Sequence, residues 1–152
     1  MTPDLSRYSL SNYSKLHRQQ VRELLTAARD LLTDPAKWTK GKWARAAVED
    51  PEKCSPLPNE PEAVCFCSAG ALWCVLGKDT TSCSLFLDSP HNPANASIGF
   101  LAACALEAAL PGDFNRAGHD TRHPVIAYND AEATTHADVL SLFDRAIASI
   151  PS

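Results

Sequence analysis

Between Ser14 and Thr33, the residues Val21, Leu24, Leu25, Ala28, Leu31 and Leu32 recur at the spacing of one helical face. A stripe of that kind is stable only when other apolar surface covers it, so it commits the chain to packed helices. Ser14 is placed to cap this helix. Asp34-Pro35 ends it, because the residue before a proline avoids the helical region.

The rest of the chain supplies the covering surface. Glu62 to Leu76 is apolar nearly all round and reads as a buried central helix, in which Gly70 is tolerated where a neighbour comes close. Pro93 to Leu110 reads as a further helix stopped by Pro111-Gly112, and a terminal helix runs from Thr135 to Ile150. Thr135 and Asp138 form a capping box there, with Asp in place of Glu. Gly41 suggests a turn, after which Trp43, Ala46 and Ala47 start a short helix. Asp50 to Pro61 is a loop marked by Pro51, Pro56, Pro58 and Pro61. Leu85–Leu87 reads as a short strand or equally as a buried turn, and Val125–Tyr128 as a short extended segment followed by a turn at Asn129-Asp130. The expected fold is mainly α, a small bundle of four to five helices with a short two-stranded β element formed by those two segments. Residues 1–13 are expected to be a loose N-terminal arm whose Leu5, Tyr8, Leu10 and Tyr13 can lie along the body. Residues 14–150 are expected to form a single helical domain.

Composition narrows the classes of function. With 45% apolar and 21% charged residues the chain is globular rather than disordered. A formal charge of −4 disfavours nucleic acid as a partner, and the basic run Lys37, Lys40, Lys42 and Arg45 reads as a solvated face. No apolar run is long enough to span a membrane, and the first residues lack the apolar core of a secretory signal. The six cysteines, in a chain this well supplied with core residues, read as small buried hydrophobes in a reducing cytoplasm.

Few constellations offer chemistry. Cys65-x-Cys67 is spaced too closely for a zinc knuckle, and two helical turns put Cys67 and Cys74 about 10 Å apart. His119 and His123 have ligand spacing, so a small zinc-containing domain using them with Cys65 or Cys67 is one alternative; neither a metal nor a cofactor is assigned. A second alternative is a thiol-dependent hydrolase or transferase, in which Cys67 (or Cys65), His123 and Asn129 follow the order nucleophile, base, orienting amide. The apolar surroundings of the cysteine argue against its activation. Phosphate-loop, dinucleotide, metalloprotease and nucleophile-elbow motifs do not occur. Trp38, Trp43, Trp73 and Tyr128 belong to the core or line a pocket. Asn129-Asp130 is either a turn or a polar anchor facing the tryptophans.

Three short motifs occur in order: Trp38-x-x-Gly41-x-x-Ala44, Cys67-x-x-Gly70-Ala71-Leu72, and Tyr128-Asn129-Asp130 ahead of a terminal helix carrying Val139-Leu140-x-Leu142-Phe143. From about Leu16 to Ile147 the chain resembles a family of small uncharacterised bacterial and bacteriophage proteins with Trp-x-x-Gly, Cys-x-x-Gly-Ala-Leu and Trp-Asn-Asp elements. It departs from them in having Tyr128 where Trp is usual, and in a longer proline-rich loop before Cys65. The resemblance implies a mainly helical fold and a bacterial or phage cytoplasmic setting, and it supplies no activity. It also implies that Trp38, Gly41, Cys67, Gly70, Asn129 and Asp130 meet in space. The expected function is a non-catalytic binding protein, a phage or mobile-element accessory factor that modulates a host protein or sequesters a small ligand. The expected contact residues are Trp38, Trp43, Cys67, Tyr128, Asn129 and Asp130.

Overall fold

The computed structural model describes residues 6–48, 50–77, 93–114 and 123–152. Helix α1 (Lys15–Leu31) starts where the Ser14 hydroxyl accepts a hydrogen bond from the His17 amide at 3.2 Å. Its stripe of Val21, Leu24, Leu25 and Ala28 is buried. Three helices cover that stripe: α2 (Ser68–Leu76), α3 (Ile98–Ala108) and α5 (His136–Ala148). From α5, Val139, Leu142, Phe143 and Ala146 enter the same core. Full burial of a leucine or phenylalanine contributes about 1.5–3 kcal/mol, so this shared core is the main source of stability. Thr135 and Asp138 cap α5 reciprocally, with Thr135 N–H donating to the carboxylate at 2.9 Å and Asp138 N–H to the hydroxyl at 3.2 Å. Asp thus completes the box as Glu would.

Short α4 (Pro124–Asp130) packs across α2 and α3. A two-stranded antiparallel sheet lies beside the helices, with β1 (Ala44–Ala46) against β2 (Ala63–Phe66). Ala44 faces Phe66 and Arg45 faces Cys65, and the register breaks between Arg45 and Ala46, so that Ala46 faces Ala63. The proline-rich loop is the connection between these two strands. In the N-terminal arm, residues 6–12 form two single turns of 3-10 helix. Tyr8 is buried edge-on against Phe100, with ring centroids 4.8 Å apart, and Leu10 is buried beside it.

The mainly helical fold with a short β element is therefore what forms, but the strands are not the expected ones. Val125–Tyr128 is helical, because Pro124 presets the first helical φ and His123 caps the turn by accepting from Val125 N–H at 3.2 Å. Asn129-Asp130 is accordingly the last turn of α4 rather than a loop. Leu85–Leu87 lies outside the described residues. Trp43–Ala47 leads into a strand, not a helix, and the helix expected from Glu62 begins only at Ser68. A four-residue apolar run such as Ala63–Phe66 has no period long enough to tell strand from buried helix. Among the described residues no helix is long and apolar enough to cross a membrane.

Candidate functional site at the junction of α2 and α4

Cys67 stands between β2 and α2, in extended conformation, and caps the helix: its Sγ accepts from Gly70 N–H at 3.2 Å. Its own N–H donates to the Trp43 carbonyl at 3.2 Å, which draws the end of the 38–43 loop over the first turn of α2. That approach is what requires glycine at 70, since a Cβ there would overlap the Trp43 carbonyl oxygen.

Ser68, fully buried, is the next residue. Its N–H and its hydroxyl both donate to Oδ1 of Asn129, at 3.0 and 2.8 Å, and Trp38 Nε1 donates to the same oxygen at 2.8 Å. Asn129 Nδ2 donates to the Thr39 carbonyl at 3.0 Å and to Asp130 Oδ1 at 2.9 Å. The indole and backbone N–H groups can only donate, and the carbonyl and carboxylate only accept, so the amide has one possible orientation. Every polar atom of this buried side chain is satisfied, so burial costs it little.

The loop is fastened to the end of α4 by further bonds. Gly41 N–H donates to Asp130 Oδ1 at 2.9 Å from a backbone with φ of +82°, the left-handed region glycine enters freely. Lys40 Nζ donates to the Ala131 carbonyl at 2.6 Å and stands 5.5 Å from the centroid of the Trp38 ring. A cation there also complements the partial negative charge at the helix C-terminus. Arg45 donates to the Thr39 hydroxyl at 2.6 Å and the Lys40 carbonyl at 2.8 Å, holding the loop closed from within. Trp43 packs edge-to-face on Trp73 with centroids 5.4 Å apart. A cleft of about 250 Å³ opens beside this junction, lined by Gly41, Lys42, Trp43, Cys67, Ile126 and Asp130.

The structure thus gathers Trp38, Gly41, Cys67, Gly70, Asn129 and Asp130 at one place, with Trp43 on the cleft wall. Tyr128 is not among them. It lies edge-on to Phe114, centroids 5.2 Å apart, in a separate groove with Asp138. His123 is absent too, because it caps the opposite end of α4, six residues and about 9 Å of helix rise from Asn129. Asn129 therefore orients Ser68 and Trp38 rather than an imidazole. Burial pushes the Cys67 thiol up to about 12 and lowers His123 to about 4, so near neutral pH the pair is thiol and neutral imidazole. Cys65 sits in β2 opposite Arg45. His119 lies outside the described residues, and among the described ones no three His, Cys, Asp or Glu side chains are grouped to hold a metal ion.

Sequence reasoning missed Ser68, Thr39 and Lys40. Ser68 carried a signal, a small hydroxyl residue at the head of an apolar helix. Lys40 and Arg45 carried none, since nothing in a basic run tells which cations turn inward.

The fold and site define a small, mainly helical domain organised around a buried asparagine. Its sequence matches a family of unknown function, DUF6197, over residues 17–149, and the chain belongs to that family. Comparison with curated proteins gives no match, and neither does comparison with solved structures.

Proposed function

We infer that this protein is a non-catalytic binding module whose recognition surface is the cleft beside the 38–43 loop. One observation carries the reading: the polar groups inside the junction are consumed by one another, while the rim is open. Asn129 makes five hydrogen bonds, and the Cys67 thiol is buried as a helix cap. On the rim, exposed Lys42 and half-buried Trp43 and Ile126 offer a cation, an indole face and an aliphatic patch around the cleft, beside an Asp130 carboxylate that is already bonded to Gly41 and Asn129. That mixture suits recognition, a few polar groups fixing orientation over an apolar floor. The buried thiol, the neutral histidine on its own helix and the distance between His123 and Asn129 all favour binding over thiol catalysis. The sequence resemblance extends the proposal to a bacterial or bacteriophage accessory factor in the cytoplasm, modulating a protein partner or sequestering a small ligand.

Amide chemical-shift mapping against a small-molecule library tests the site, combined with a photo-crosslinking residue at position 42 for protein partners. Saturable shifts at Gly41, Lys42, Trp43 and Ile126, or a discrete adduct formed from position 42 and not from α5, are expected. Turnover of any substrate that disappears in Cys67→Ser or His123→Ala overturns the reading.

A further inference from the structure

A second surface, away from the cleft, lies on the β1–β2 hairpin. A groove of about 480 Å³ runs between the end of β1 and the proline-rich loop. Four large apolar residues are exposed among the described residues, and three of them belong to this hairpin: Val48 (83% exposed), Leu57 (43%) and Val64 (43%). Isolated exposed apolar residues are ordinary, and of these three only Val48 lines the groove, where Ala46 and Pro56 stand beside it. Val48 lines the groove itself, and so do the carboxylates of Asp50, Glu60 and Glu62, against a single ammonium, Lys53.

Local bonds set the loop's form. Asp50 accepts from Glu52 N–H at 2.9 Å and Glu60 from Leu57 N–H at 2.7 Å. Pro51, Pro56, Pro58 and Pro61 remove backbone freedom from the same loop, so a partner meets a surface with less ordering still to lose. The carboxylates remain exposed while making these bonds.

We propose that this groove docks a basic polypeptide segment, one that places Val, Leu or Ile side chains on Val48, Ala46 and Pro56 and Lys or Arg side chains against Asp50, Glu60 and Glu62. Charge decides the sign of the partner, since an acidic segment would meet three carboxylates. The apolar part of the lining decides its class: a metal ion or a small cation would satisfy carboxylates and leave Val48, Ala46 and Pro56 in water. This surface is independent of the cleft, and either can fail without the other.

The test is titration of labelled ten-residue peptides into the intact protein: Lys/Arg alternating with Val/Leu, Glu alternating with Val/Leu, and Lys alternating with Ser. Saturable, salt-sensitive binding of the basic apolar peptide alone is expected. It should weaken at least tenfold in Glu62→Lys and, separately, in Val48→Ser, and stay unchanged in Lys42→Glu. Both positions are exposed, and unaltered circular dichroism shows that the variants fold. Equal binding of the Lys/Ser peptide, binding indifferent to both substitutions, or no binding overturns the proposal. So does a sedimentation profile showing that Val48 mediates self-association instead.

Discussion

Asn129 is the residue on which most of the junction converges, and its replacement separates two effects. Asn129→Ala strips the partners of Trp38 Nε1, the Ser68 amide and the Thr39 carbonyl at once. A loss on the order of 3 kcal/mol or more is expected in urea denaturation, since each orphaned buried group costs about 1–3 kcal/mol. Asn129→Asp keeps the shape but turns a donor into a carboxylate facing Asp130 and the Thr39 carbonyl. Burial, the like charge and the Thr39 carbonyl raise the folded pKa of that new carboxyl, and the expectation is that they outweigh the three donors on its Oδ1 and hold it above the unfolded value of about 3.9. Stability that depends on the protonated form is present below the unfolded pKa and lost as pH rises through the folded one. The deficit of Asn129→Asp against wild type should therefore be smaller at pH 4 than at pH 7, whereas that of Asn129→Ala should not change. Gly70→Ala tests the other fixed point of the junction. Its methyl group collides with the Trp43 backbone, and a cost of about 1–3 kcal/mol is expected from the urea midpoint. The thiols are checked by iodoacetamide at pH 8. Exposed Cys54 should label in the native protein, and Cys67 and Cys104, both pushed up to about 12 by burial, only after denaturation.

Helix α4 is seven residues long, too short to persist without its two caps and its packing. His123 supplies the N-cap as a neutral acceptor, and burial lowers it to about 4. A free imidazole titrates near 6.5, so the unfolded chain takes up this proton before the folded one does. The stability tied to burying this ring neutral is present above about pH 6.5 and lost as pH falls toward 4, by an amount on the order of 2 kcal/mol, and protonation removes the cap acceptor at the same time. His123→Ser keeps an acceptor at the cap and removes the titration. Its melting temperature should fall less than that of wild type between pH 7.5 and 4.5. The long amphipathic helices were legible from the sequence, because their period repeats often enough to exclude alternatives. The short elements were not: Val125–Tyr128 and Ala63–Phe66 are apolar runs whose conformation is decided by a capping histidine and by the pairing partner, both invisible to periodicity. The site was half legible. Three short motifs of the sequence pointed to Trp38, Gly41, Cys67, Gly70, Asn129 and Asp130, whereas Thr39 acts through its carbonyl and Lys40 through a side-chain direction that composition does not encode, and Ser68 gave only the sign of a small hydroxyl at the head of an apolar helix.

Across the whole molecule, α1 is covered by three helices drawn from the middle and end of the chain. None of the four can keep its buried face without the others, so a single cooperative transition is expected. Far-UV circular dichroism, which follows the helices, and hairpin methyl resonances of Val48 and Val64 should therefore give the same urea midpoint. Separate midpoints would mean that the hairpin folds on its own account. The Arg29–Asp144 pair at 2.7 Å also links α1 to α5, yet it is solvent-exposed and belongs to the class of surface bridges worth about 0–1 kcal/mol.

All three tryptophans of the chain sit at the α2–α4 junction: Trp38 bonded to Asn129, and Trp43 edge-on to Trp73. The protein consequently carries its own optical reporter. Two indoles 5.4 Å apart and inclined by 80° are placed for exciton coupling, which gives a paired signal in the ultraviolet dichroism. Their emission, with that of Trp38, arises from one locus, so any occupant of the cleft is expected to change a spectrum to which the rest of the chain contributes no indole.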